Sequence, residues 1–316
     1  MSSPTNGAQE NDAPGSTLKA LWESAVVVSS MTTLHKLKIL FYGPSGSGKT
    51  TLAAKFNRPL VGVTELQGIP AIMRSNPNAR VFPITNAVEL NNFRSLIRDP
   101  HLAEHVDAVV LDSLTDVQRI IKVAYTATQN AAKSKAGKDT KDTPDVDTWG
   151  LIIDRTAKIA REVRDLPVHV AVICLESETV VEGIGRVHRP AVNGKTLPND
   201  LAQYFNVVGF TYKRAVENGI RHEVLLNGPE SFLTKGMPEI RDIEPPEPLW
   251  LAHKCFGEPL PDDVAARVAA WEALAVAGEQ EESALPEPAP APAPAKKGGK
   301  AAAKSAAPKS DDPFNV

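Results

Sequence analysis

A short apolar run, Leu37-Lys38-Ile39-Leu40-Phe41-Tyr42, passes directly into Gly43-Pro44-Ser45-Gly46-Ser47-Gly48-Lys49-Thr50-Thr51, and the helix-compatible Leu52-Ala53-Ala54-Lys55 follows. Strand, G-x-x-x-x-G-K-[ST] and helix in that order is what a phosphate-binding loop requires. Gly43, Gly46 and Gly48 open backbone conformations closed to residues with a Cβ, so that successive N–H groups can point inward at a triphosphate. The helix opening near Lys49 adds its positive dipole end. Lys49 is expected to reach the β and γ phosphates of a nucleoside triphosphate, and the Thr50 hydroxyl to sit on Mg²⁺, with Gly43 to Thr51 forming the nucleotide cradle. The plain alternative is a glycine-rich turn before an ordinary helix; the complete pattern in its strand and helix context favours the phosphate loop.

The segments that follow predict an α/β fold with a mostly parallel central sheet flanked by helices. Pro59 to Glu65 reads as a second buried strand ending in a carboxylate, Val81 to Ile84 as a third, and Ala87 to Ile97 as an amphipathic helix. Val106 to Ser113 is nearly continuous in apolar residues until Asp112, the pattern of a fully buried parallel strand, and ligands of such sheets collect at the carboxyl ends. A helix over 114–132, a polar loop over 133–144, an amphipathic helix over 149–163 and a core strand over 167–176 come next. A long loop is expected over 177–198. Phe205 to Tyr212 and His222 to Leu226 read as an antiparallel pair turning at Asn218-Gly219.

Asp112, presented at the end of its strand, is the type of group that holds Mg²⁺ through a water beside a phosphate loop. Hydrolysis also needs a group that orients or deprotonates water. Glu65, ending the strand after the phosphate-loop helix, is the leading candidate, and Glu176 is the runner-up or a sensor of the γ-phosphate. For each carboxylate the plain reading is a polar residue that merely ends a strand.

The formal net charge of −3 gives no overall attraction to nucleic acid, so such a partner needs a local basic patch. Cys174 and Cys255 are the only cysteines, which excludes a disulfide framework or a cysteine-rich metal centre. No apolar stretch approaches the roughly 20 residues that span a bilayer, and the polar N-terminus does not read as a secretion signal; a cytoplasmic setting is expected.

Taken together, the phosphate loop, Thr64-Glu65, Leu111-Asp112-Ser113, Trp149-Gly150 and Gly194-Lys195-Thr196-Leu197-Pro198 before Tyr204 to Gly209 resemble the phage-encoded, RecA-like AAA-type P-loop ATPases of the single-strand-annealing and recombination group. The resemblance covers roughly residues 35–240. It implies a RecA-like P-loop NTPase fold, water activation by Glu65, metal binding by Asp112, and single-stranded DNA as partner of a ring or filament of identical subunits. A chain of this group hydrolyses ATP while annealing or exchanging strands in phage recombination or replication. One departure is Glu176, where RecA has glutamine or a similar polar residue. DNA would lie along two loops, one with Lys133, Lys135, Lys138 and Lys141, the other with Arg186, His188, Arg189 and Lys195. Solvated charged loops are the plain reading of both. Lys195, Arg189, Lys213 and Arg214 are candidates for a finger reaching a neighbour's γ-phosphate. A P-loop kinase, and a DNA-binding adaptor switched by ATP with little turnover, are the alternative functions.

Residues 1–16 have little to bury and are expected to be disordered. An apolar segment over 18–28 covers either its own sheet edge or a neighbouring subunit. The ATPase domain is expected over 17–277, followed over 278–316 by a Pro-, Ala- and Lys-rich tail. Its tip, Asp311-Asp312-Pro313-Phe314, looks like the partner-docking tip of bacterial single-stranded-DNA-binding proteins, but Asn315 and Val316 follow the phenylalanine.

Overall fold

The computed structural model describes residues 36–216 and 219–278. The expectations for residues 1–35, for the turn at Asn218 and for the tail from residue 279, with Asp311, Asp312, Pro313 and Phe314, fall outside the described residues.

The apolar run becomes β1 (Lys38–Gly43), buried along its whole length, and the loop leads into the short helix α1 (Lys49–Ala53). The chain continues through β2 (Pro59–Val63), α2 (Ile69–Ser75), β3 (Arg80–Pro83), α3 (Ala87–Ile97), α4 (Leu102–His105) and β4 (Ala108–Asp112). Two long helices follow, α5 (Leu114–Lys135) and α6 (Val146–Arg164), then β5 (His169–Val181), β6 (Gly185–Pro190) and α7 (Leu197–Tyr204). β7 (Val207–Val216), β8 (Gly219–Leu225), β9 (Ile243–Glu244), α8 (Pro248–Phe256) and α9 (Asp262–Gly278) complete the described chain.

Among the described residues the strands form a nine-stranded sheet in the order β3-β2-β4-β5-β1-β7-β8-β9, with β6 paired to β5 alone. From β3 to β7 neighbours run parallel; β8, β9 and β6 pair antiparallel. The sheet is therefore mostly parallel with antiparallel strands at one edge, as the sequence predicts. Alternating side chains of the central strands feed two cores. Leu40, Tyr42, Val109, Leu111, Val170 and Val172 pack with α3, α5, α6 and α7. Ile39, Phe41, Val110, Ala171 and Ile173 pack with α1, α2, α8 and α9 on the other face. Leu249, Leu251, Val264 and Val268 thus share a core with β1, so residues 240–268 belong to the same body as the phosphate loop. Each fully buried aliphatic side chain contributes about 1.5–3 kcal/mol of transfer free energy, which fixes strands with so many of them in the centre.

The stretch 177–198 is not a long loop. β5 runs past the sheet rim to Val181, and residues Glu176 to Val181 pair with β6 in a hairpin. Thr179, Val180, Val181 and Val187 favour extended backbone, and Gly183 and Gly185, at φ of 85° and 92°, make the turn. Arg186, His188 and Arg189 accordingly sit on a strand; Lys195 is left in the short connection to α7. Lys133 and Lys135 belong to the last turn of α5, because its helical pattern continues past Ala132 and ends before Gly137 at φ 64°. Helix α6 begins three residues before Trp149, capped by Asp145, whose side chain accepts from Thr148 N.

Candidate functional site

Gly43 carries a φ of 155°, and a Cβ there would lie 2.2 Å from the Thr211 carbonyl oxygen, so no other residue fits between β1 and β7 at this point. Gly48 has a φ of 96°, and a Cβ there would meet His222 Nδ1 at 2.9 Å. The loop is therefore gripped from its flank by the β7–β8 hairpin. Ser47 Oγ lies 2.7 Å from Thr211 Oγ1, and the Thr211 hydroxyl donates to the Tyr42 carbonyl at 3.2 Å, which leaves Ser47 to donate to Thr211. His222 Nδ1 donates to the Ser47 carbonyl at 2.8 Å. The Lys213 Nζ lies 3.5 Å from the position a Cβ would take on Gly46. Thr211, Lys213 and His222 share one face of the hairpin, since Lys213 is directly opposite His222 in the register.

Lys49 is buried and folds back over its own loop, donating to the Gly43 carbonyl at 2.9 Å, the Pro44 carbonyl at 2.7 Å and the Ser47 hydroxyl at 3.4 Å. Burial pushes its ammonium pKa down, opposed by the charges of Asp112 and Glu176. The Thr50 hydroxyl donates to Asp112 Oδ2 at 2.6 Å. Burial pushes the Asp112 carboxyl up from its ordinary range; the Thr50 hydrogen bond and the Lys49 charge work against the rise.

Strand order explains how residues so distant in sequence converge. β5 lies between β1 and β4, so the carboxyl ends of β2, β4, β5 and β1 line one rim. Asp112 ends β4, Ser113 caps α5 by accepting from Asp116 N, and Thr64 N donates to the Asp112 carbonyl at 2.7 Å. Glu65, next to Thr64, is exposed, and its charge bears on Asp112. Glu176 stands where β5 leaves the sheet, hydrogen-bonded to His188 Nδ1 and close enough to Lys49 for its charge to be felt. Structure thus brings Lys49, Thr50, Asp112, Glu65 and Glu176 to one rim. Cys174, one turn of the pleat below, is fully buried with its thiol pushed up to about 12, as befits a small core residue.

The basic candidates are more dispersed. Lys133 pairs with Asp145 at 3.2 Å and Arg186 with Glu178 at 3.1 Å. Lys135, Lys138, Lys141 and Lys195 are exposed, and Arg189 is half-buried. Asn130 fastens the loop after α5 by bonding both the N–H and the carbonyl of Lys141. A separate cavity of about 300 Å³, lined among others by Lys55, Asn57, Asn76, Leu249 and Arg267, opens on the opposite rim and shares no residue with the phosphate loop.

Sequence reasoning missed Thr211 and His222. Neither belongs to a local motif, because each meets the loop only through the pairing of β1 with β7 and of β7 with β8.

A family profile described as an AAA domain matches residues 35–236, the stretch that holds the phosphate loop, Glu65, Asp112 and Glu176. The chain belongs to this AAA-domain family. Among solved structures, the flagellar accessory protein FlaH from Methanocaldococcus jannaschii aligns with 66% of this chain and 83% of its own at 9% identity and a TM-score of 0.35. A KaiC-like protein from Pyrococcus horikoshii aligns with 59% of this chain and 76% of its own at 12% identity and a TM-score of 0.34. Likenesses of that size carry no argument beyond the profile match. No curated protein sequence matches this one. No helix among the described residues is long and apolar enough to cross a membrane.

Proposed function

We propose that this AAA-domain protein binds ATP with Mg²⁺ and hydrolyses it, in the manner of a RecA-like ATPase. The observation that carries the reading is the Thr50–Asp112 contact, 2.6 Å long, beside a lysine folded over a glycine loop. The residues fit the group. A hydroxyl and a carboxylate in contact on the sheet rim are oxygen donors of the kind Mg²⁺ takes, and a glycine-lined loop, closed to a Cβ at Gly43, leaves backbone N–H groups for phosphate oxygens. When bound, Mg²⁺ neutralises the charge of the phosphates.

The chain's own residues would act as follows. Lys49 exchanges the Gly43 and Pro44 carbonyls for the terminal phosphates, which is a gain because the ammonium then meets negatively charged oxygens in place of neutral ones. Thr50 and Asp112 hold the cation from one side. Glu65, exposed on the same rim, accepts the proton of the attacking water. Glu176, whose charge reaches Lys49, responds to the γ-phosphate. Thr211 and His222 keep Ser47 in the loop conformation that all of this requires.

The partner we propose is single-stranded DNA, with subunits arranged in a ring or filament and the nucleotide cycle serving annealing or strand exchange in phage recombination or replication. What supports it is an exposed set of cations, Lys135, Lys138 and Lys195, with Arg189 on the hairpin that leaves the nucleotide rim. Such cations bind phosphate without reading sequence. The test is phosphate release measured with and without single-stranded DNA. DNA-stimulated release supports the reading; transfer to a small acceptor instead of water indicates a kinase, and DNA binding with nucleotide but no turnover indicates an adaptor.

A further inference from the structure

The β5–β6 hairpin carries on one face a set of donors that extends from Glu176, on the nucleotide rim, outward to Glu178 and His188. Glu176 and Glu178 are two residues apart on β5 and so point the same way, and His188 is directly opposite Glu178 on β6. One ligand atom from each of the three lies within 4.8 Å of the others. We propose that Glu176, Glu178 and His188 form a binding site for a divalent transition metal, Zn²⁺ or Mn²⁺, distinct from the Thr50–Asp112 cation position.

Ligand chemistry favours that class. One imidazole with two carboxylates suits borderline cations, whereas Ca²⁺ and Mg²⁺ prefer oxygen alone. Donor bonds of about 2.0–2.2 Å in tetrahedral arrangement place ligand atoms roughly 3.3–3.6 Å apart. To reach that spacing Glu178, whose side chain is 48% exposed, rotates inward, and the Glu176 carboxylate, now hydrogen-bonded to His188, backs away from the imidazole.

The other two donors are already held. His188 stacks on Phe232 with ring centroids 4.5 Å apart and an interplanar angle of 8°, and it lies 5.6 Å from Phe210. Its backbone N–H donates to Ser231 O at 2.7 Å, and its carbonyl accepts from Leu233 N at 3.1 Å and from the Tyr42 hydroxyl at 3.1 Å. The stacking and the backbone bonds hold the imidazole in place with its Nδ1 toward Glu176, in a hydrogen bond that an ion between the two would replace. Glu178 is shared with Arg186 at 3.1 Å; the ion would take the place of the guanidinium and of the proton between His188 and Glu176. Two recessed donors with the third on the open side give the ion a route in. The site does not depend on ATP hydrolysis, but a cation there would sit against Glu176, the residue whose charge reaches Lys49.

The test is titration of Mn²⁺ into the full-length, chelator-treated protein without nucleotide, read by loss of the free-ion electron paramagnetic resonance signal and repeated with Zn²⁺ in a calorimeter. Expected is one saturable site per chain that survives Thr50→Ala and is weakened in Glu178→Gln. Losing a ligand should cost no less than the roughly tenfold that loss of an outer-shell partner costs. Glu178→Gln, at an exposed position, keeps the metal-free melting temperature of the wild type, which separates lost binding from lost folding. Equal affinity in Glu178→Gln, no saturable binding in the wild type, or loss of the site in Thr50→Ala alone would each overturn the proposal.

Discussion

Replacing Thr211 by valine tests whether the β7–β8 hairpin holds the phosphate loop in shape. Ser47 and Thr211 are 3% and 1% exposed, and their hydroxyls form a buried relay into the Tyr42 carbonyl over 2.7 and 3.2 Å. Valine keeps the shape of threonine, so no cavity opens; what disappears is the acceptor of the Ser47 hydroxyl and the donor to Tyr42. A buried polar group left without its partner costs about 1–3 kcal/mol. For a domain of this size each kcal/mol lowers the melting temperature by about 2–4 °C. Ser47→Ala should cost a similar amount. The double variant Ser47→Ala/Thr211→Val removes both hydroxyls, and its loss should fall short of the sum of the two single losses by about 0.5–3 kcal/mol, since pairs in direct contact couple by that much. Denaturant unfolding of the four proteins, with titration of a fluorescent ATP analogue on each, measures this directly. Strictly additive losses, or a Thr211→Val protein as stable and as tight for nucleotide as the wild type, would refute the clamp.

Further outcomes follow from other contacts. Gly43→Ala must accommodate a Cβ 2.2 Å from Thr211 O at a φ of 155°, so it should unfold at lower denaturant by at least the about 1–3 kcal/mol that such a backbone conformation costs alone. Glu65→Gln should keep nucleotide affinity while turnover falls by about 10²–10⁴-fold, the usual contribution of a general base; undiminished phosphate release would place water activation elsewhere. His169 is buried, accepts the Leu37 N–H on Nδ1 at 3.1 Å and lies 3.0 Å from Glu258 through Nε2, and burial holds its pKa below the ordinary value near 6.5. The folded state thus binds fewer protons here than the unfolded chain. Stability from this residue is complete above about pH 6.5 and is lost as pH falls toward the lower folded value. Unfolding curves between pH 5 and 8 should show that loss in the wild type and less of it in His169→Gln; equal slopes would count against it.

How legible all this was depended on whether the information was local. The phosphate loop, the buried strands and the carboxylates at their ends are spelled out by consecutive residues, because strand burial and glycine conformations are decided over a few positions. Their meeting on one rim followed from parallel pairing, as Thr50 and Asp112 show. The hairpin over 176–190 stayed hidden because its alternation is carried by Glu, Ser, His and Arg, whose polarity reads as loop although their backbones pair. Lys133 and Lys135 read as loop for the same reason, since a run of charge resembles the end of a helix although the helix continues through them. Thr211 and His222 were out of reach, since contacts across 164 and 175 residues leave no periodic trace.

The central claim is that the phosphate loop with Lys49, Thr50 and Asp112 supports Mg²⁺-dependent hydrolysis of ATP. Its most direct measurement is the rate of phosphate release at saturating ATP for the wild type and for Lys49→Ala, each with and without Mg²⁺. The account predicts release that requires Mg²⁺ in the wild type and falls to background in Lys49→Ala; no Mg²⁺-dependent release from the wild type, or an equal rate from Lys49→Ala, would contradict it.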